Sequence, residues 1–195
     1  MMARRSVLLH ICCAPDGIIP FEREPGEVDG YFYNPCIHPR EEWERRAAAC
    51  RLLTARMDRP VQIDDSGWSR WEALTTGMET LPEKSERCRV CMEMRLAKTA
   101  AVAAERGYDA FATSLTTSPH KPVSWINETG ECLARQFGIT YLVSDYKKRD
   151  GFKRSVTLSR KWGMYRQSYC GCRFSMGAGR AAPFSPVCDT AGGVS

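Results

Sequence analysis

SVLLHICCAPD, residues 6–16, opens as an apolar run and ends on two adjacent cysteines, a proline and an acid. A short apolar run closed by a breaker reads as a strand buried on both faces, the kind a parallel sheet uses. Neighbouring side chains leave a strand on opposite faces, so Cys12 and Cys13 would ordinarily enter different surroundings. Adjacent cysteines are also poor disulfide partners, because the short link strains the bond. The reason for the pair therefore has to come from the rest of the chain.

Outward from that run, EVDGYFYNP (27–35), VQID (61–64), AFATSL (110–115) and ITYLVSD (139–145) read as further strands. Helices are expected between them: EEWERRAAACRLLTARM (41–57), the shorter WSRWEALTTGM (68–78), an Ala-rich segment from about Cys88 to Arg106, PVSWINETGECLARQFG (122–138) and SVTLSRKWGM (155–164). Trp43, Ala47, Cys50, Thr54 and Met57 mark the buried stripe of the first of these. Alternation of strands and helices implies an α/β fold, an open parallel sheet with helices on both faces. Residues 1–175 are expected to form a single metal-binding catalytic domain, and the Gly/Ala/Pro/Ser-rich residues 176–195 a flexible tail.

A chain of 195 residues with 43% hydrophobic and 26% charged residues has the composition of a soluble globular protein. No apolar stretch approaches the roughly 20 residues of a membrane span. MMARRSVLLHICC superficially resembles a signal peptide, but Pro15 and Asp16 follow at once and no small-residue cleavage site comes after them. It is read as the first strand of a cytoplasmic protein.

Ten cysteines are unevenly placed. Cys12/Cys13, Cys88/Cys91 and Cys170/Cys172 form close pairs, whereas Cys36, Cys50, Cys132 and Cys188 stand alone. Close pairs in an intracellular chain suggest metal before disulfide. In an open parallel sheet the ligand site lies outside the carboxyl ends of the strands, where Cys12, Cys13 and Cys36 fall. Cys88 and Cys91 share a face at a helix start, whose positive end favours thiolates. Six paired thiols exceed the four that zinc or one [4Fe–4S] cluster takes. Two neighbouring centres would account for this, and Asp16 is a hard ligand suited to a second metal ion. Cys50 and Cys132 lie on apolar helix stripes and are expected in the core. His10 is expected to be a core residue, His38 lies on the ligand edge and is one candidate to meet substrate, and His120 belongs to a loop.

Between Lys147 and Arg173 nine bases face one acid, interleaved with Phe152, Trp162, Tyr165 and Tyr169. Such a segment suits a phosphate backbone with stackable bases, and Lys153, Arg154, Lys161 and Arg166 are its candidate contacts. A solvated helix face explains the charge equally well.

LLHICCAPD, YFYNPCIHP, CRVCMEMRLAKTA, TTSPHK and GMYRQSYCGCRFS together resemble the QueH-type epoxyqueuosine reductases, in order and spacing, from about Ser6 to Ser175. The resemblance implies reduction of the epoxide of epoxyqueuosine in the tRNA anticodon stem-loop, the last step of queuosine synthesis. It implies a fold related to the adenine-nucleotide alpha-hydrolase (HUP-like) group and independence from cobalamin. It also implies a [4Fe–4S] cluster with an additional metal ion nearby, expected to be iron. The ligands would come from Cys12, Cys13, Asp16, Cys88, Cys91, Cys170 and Cys172. In the family the position of Cys36 is usually Asn, so this chain carries an extra thiol there. Removing an epoxide oxygen takes two electrons and two protons. An electron donor is required, which the residues do not name; Tyr33 and Tyr165 are candidate proton donors, and Asp16, as a ligand of the second metal, is the third candidate catalytic residue.

Two other readings compete. A tRNA thiolase-like, ATP-using enzyme of the same fold group would need a Gly/Ser-rich phosphate loop where this chain has CCAPDG. A non-catalytic, zinc-stabilised RNA-binding protein would use the cysteines structurally.

Overall fold

A computed structural model describes residues 5–175. Five parallel strands form one sheet: β1 (Ser6–His10), β2 (Glu27–Tyr33), β3 (Val61–Asp64), β4 (Ala110–Thr113) and β5 (Thr140–Tyr141), in the order β3-β2-β1-β4-β5. Val7 of the central strand stands in register with Val28 on one side and Ala110 on the other. Among the described residues six α-helices cover the sheet: α1 (Ala14–Arg23), α2 (Arg40–Met57), α3 (Trp68–Thr75), α4 (Glu86–Glu105), α5 (Val123–Phe137) and α6 (Gly151–Lys161). α1 packs against α2 and α6, while α4 packs against α3, α5 and the central strands. This is the expected open sheet with helices on both faces. Among the described residues no helix is long and apolar enough to cross a membrane. The expected tail, with Cys188, lies outside the described residues.

The first strand stops at His10 rather than running on to Cys13, and the chain turns directly into α1, which the sequence pattern did not predict. Two prolines hide that helix. Pro15 is harmless in the first turn, where its missing N–H would have no partner. Pro20 lies inside and removes the bond to the carbonyl of Asp16. Thr117 repairs the loss, donating its hydroxyl to that carbonyl at 2.9 Å. Cys13 becomes the residue preceding the helix, and the Cys12 N–H donates to Ser114 Oγ at 2.9 Å. Strand order thus fastens the cysteine bend to the loop after β4.

β5 is shorter than expected, because past Leu142 the chain takes its bonds from a side chain: Asn127 Oδ1 accepts from the Ser144 N–H at 3.3 Å. α6 starts earlier than expected, at Gly151, and ends at Lys161. Arg23 of α1 clamps the preceding turn, donating to the carbonyls of Tyr146, Lys148 and Arg149 at 3.0–3.1 Å. Gly151 is required there, since a Cβ would sit 1.8 Å from the Tyr146 carbonyl oxygen. Gly151→Ala is expected to cost about 3 kcal/mol by forced backbone displacement, read as a lower urea midpoint at unchanged slope.

Cys50 is fully buried on α2 as expected, whereas Cys132 on α5 is only half-buried. His10 is a core residue: its Nδ1 lies 3.0 Å from Thr113 Oγ1, and burial lowers its pKa to about 3, so the ring stays neutral.

Candidate metal centre

The carboxyl ends of the strands open into a cavity of about 380 Å³. Its wall includes Cys12 and Asp16 from the β1–α1 turn, Cys88 and Met92 of α4, and Lys121 from the loop after β4. Phe152 of α6, Arg166 and Cys170 complete it. An adjoining hollow of about 20 Å³ is walled by Cys88, Cys91, Cys170 and Cys172 together with Arg95 and Lys121. Cysteines from three remote segments therefore face one place.

The two adjacent cysteines diverge. Cys12 turns to the thiol-lined side, with its Sγ 3.7 Å from Arg95 Nη1. Cys13 turns instead towards Asp16 and Gln167, hydrogen-bonding both, and is not among the cavity's walls. Burial pushes both thiols above their ordinary range. Burial likewise raises Asp16 to about 6, against the hydrogen bond from Cys13 and the charges of Arg166 and Lys121.

Cys36, alone in the sequence, joins the group in space: buried below the rim, it donates a hydrogen bond to Cys91. That bond, assisted by the Arg95 charge, holds Cys91 down at about 6 despite burial. Lys121 Nζ donates to Cys170 Sγ at 3.1 Å.

The Cys170–Cys172 loop is held from α2. Arg46, buried and paired with Glu42 at 2.7 Å, donates to the carbonyls of Cys170 at 2.9 Å and Tyr169 at 3.1 Å. Gly171, at φ +109°, lets the backbone pass the guanidinium, where a Cβ would stand 2.9 Å from Nη1. The loop also pairs back to the β2 segment, through the Gly171 carbonyl and the His38 N–H at 2.7 Å.

Among the described residues no three His, Cys, Asp or Glu side chains are drawn together closely enough to hold a metal ion as they stand. The chemistry of the donor set nonetheless fits a sulfur-ligated group: four thiols around one hollow, a fifth beside it, and three cations, Arg87, Arg95 and Lys121, in the same wall.

A sequence model of the family described as "Epoxyqueuosine reductase QueH" matches residues 7–178. The chain belongs to this family. By that membership it is an oxidoreductase. It is 38% identical over 180 residues to the epoxyqueuosine reductase QueH of Streptococcus pyogenes, covering 88% of this chain and 71% of that one. The QueH protein of Dehalococcoides mccartyi is 36% identical over 184 residues, covering 93% and 98%. That of Thermotoga maritima is 32% identical over 174 residues, covering 88% and 90%. Among solved structures, the U34-tRNA thiolase NcsA from Methanococcus maripaludis, with its [4Fe-4S] cluster, superposes with a TM-score of 0.54 at 12% identity. The match spans 89% of this chain but only 62% of the thiolase, and at that identity it shows a common fold.

Within this QueH chain the two candidate tyrosines stand apart from the cavity walls. Tyr33 is 3% exposed and stacks on Tyr31, with centroids 6.1 Å apart. Tyr165 donates its hydroxyl to Glu42 Oε2 at 2.6 Å and so belongs to the Arg46 anchor. Of the candidate RNA contacts, Lys153 and Lys161 are exposed on α6. Arg154 makes a bidentate pair with Glu22 of α1, at 2.6 and 2.7 Å. Arg166 lines the cavity and donates to Ser159 Oγ at 2.8 Å. His120 also lines the cavity, whereas His38 packs between Trp68 and Trp71. Sequence reasoning passed over Arg46, Arg95 and Lys121. Only Arg95 left a signal, lying one helical turn after Cys91.

Proposed function

We propose that this chain reduces the epoxide of epoxyqueuosine in tRNA to the cyclopentene of queuosine, using a [4Fe–4S] cluster and a second metal ion, iron, beside it. The observation that carries the reading is the meeting of Cys12, Cys88, Cys91, Cys170 and Cys172 around the buried Arg95 and the half-buried Lys121, at the mouth of a cavity walled by Asp16. The cluster draws its ligands from these five thiols, and Cys13 with Asp16 serves the second metal. Once bound, the two centres supply low-potential single electrons and a Lewis acid for the departing oxygen.

The protein's own part is to bind and orient. Lys153 and Lys161 hold phosphates, Arg166 reaches the nucleotide in the cavity, and Phe152 offers a stacking surface at the wall. Arg154, tied to Glu22, keeps α6 on α1 and contributes its charge from there. Tyr165 acts through the cysteine loop rather than on the substrate. The electron donor is a separate low-potential partner.

Metal analysis with an absorption spectrum tests this reading. Anaerobically prepared protein is expected to hold about four to five irons per chain and to be brown. Colourless protein holding zinc alone would favour the structural RNA-binding reading. Reversing the charges of Lys153 and Lys161 is expected to weaken tRNA binding and flatten its salt dependence by about two phosphate contacts. An unchanged salt slope would make the basic run only a solvated face.

A further inference from the structure

Among the described residues, Arg95 and Lys121 are cations without an ion-paired carboxylate. Arg95 is 3% exposed; its Nε donates to the Cys91 carbonyl at 3.1 Å and its Nη1 to Asn34 Oδ1 at 3.1 Å, with Cys12 Sγ at 3.7 Å. Asn34 donates in turn to the Ile11 carbonyl at 2.9 Å, so one guanidinium ties the segment after β1 and the segment after β2 to α4. Lys121 reaches the same hollow from the loop after β4, with Nζ 3.1 Å from Cys170 Sγ. Among the described residues neither makes an ion pair with a carboxylate; of the other buried cations near the site, Arg46 has Glu42, and Arg87 donates to the carbonyls of Met78 and Glu79. A buried cation left uncompensated is strongly unfavourable. The ionisable groups facing these two are mainly thiols, Cys12, Cys36, Cys91 and Cys170, with the Asp16 carboxyl within reach of the Lys121 charge.

We propose that Arg95 and Lys121 are the counter-cations of the sulfur-ligated centre, positioning residues that hold its thiolates in place and raise the potential at which it accepts an electron. The inference rests on the cluster assigned above. Positive charge a few ångströms from the centre favours its more negative form, [4Fe–4S]²⁺ + e⁻ → [4Fe–4S]⁺, with the electron coming from an external one-electron donor such as dithionite. No bond is made or broken.

The test is a redox titration followed by electron paramagnetic resonance on the anaerobic full chain and on Arg95→Gln, Arg95→Lys, Lys121→Gln and Lys121→Arg. At the wild-type midpoint, both glutamine variants are expected to raise the oxidised-to-reduced ratio at least tenfold, equal to a fall of about 59 mV. The charge-conserving variants should stay within about threefold. Should Arg95→Gln fail to fold, Lys121→Gln decides alone, because Lys121 stands at the cavity wall. A folded glutamine variant that loses iron while its charge-conserving counterpart keeps it supports the positioning role. Full iron content with an unmoved ratio overturns the proposal and leaves the functional reading intact. Absence of iron from the wild type overturns both.

Discussion

Cys12→Ala, prepared anaerobically, is expected to lose most of its visible absorbance and iron, while Cys13→Ala and Asp16→Asn stay brown but lose the second metal and the reaction. The difference follows from the turn between β1 and α1. Ending the strand at His10 sends Cys12 towards Arg95 and the thiol-lined hollow, and sends Cys13 towards Asp16. A cluster deprived of a thiolate exposes iron to solvent and degrades. A site deprived of one hard ligand leaves the sulfur-rich centre intact. Iron content, absorbance and conversion of epoxyqueuosine tRNA are to be measured together on the three variants. Equal loss of colour in Cys12→Ala and Cys13→Ala would show that both serve one centre. Full activity and metal in either would make its thiol a packed core residue.

Arg46→Met is expected to destabilise the fold by about 3–5 kcal/mol and to loosen the Cys170–Cys172 loop. Its guanidinium and the Glu42 carboxylate are 1% and 5% exposed, so removing one partner strands a buried charge. The carbonyls of Tyr169 and Cys170 lose their donors in the same step, and Tyr165 loses an ordered acceptor. The double variant Arg46→Met/Glu42→Leu separates the two effects. Apolar residues of similar volume should recover much of the stability, because a buried ion pair is often no better than good packing. Iron binding should not recover, since the loop's anchor is still absent. Urea unfolding and iron content read the two independently. Recovery of both together would reduce Arg46 to a packing residue.

What the sequence made legible follows from how local each feature is. The existence and order of the strands depend on neighbouring residues and are found as expected, though β1 and β5 are shorter. Of the three close cysteine pairs, five thiols face the cavity or its adjoining hollow and Cys13 turns away. The α1 helix did not show, because Pro20 breaks the local pattern and its remedy, the Thr117 hydroxyl, lies on a distant loop. Cys36 stands alone in the chain and meets Cys91 only through the sheet. Arg46 sits among charged residues in REEWERRAAAC and reads as a solvated face, yet it is buried against the cysteine loop. Tyr165 fell in the basic, aromatic-rich segment, and nothing local reveals that its hydroxyl is held by Glu42 on another helix.

The central claim is that cysteines from three segments build one centre that removes an epoxide oxygen. It is tested most directly by incubating iron-loaded protein anaerobically with epoxyqueuosine-containing tRNA and dithionite, then weighing the released nucleoside. The account predicts a product lighter by one oxygen atom and unchanged in hydrogen, the oxygen leaving as water with two protons from solvent and two electrons from dithionite, formed by wild type and abolished in Cys88→Ala. Unchanged epoxyqueuosine with fully loaded wild-type protein, or equal conversion by Cys88→Ala, would contradict it.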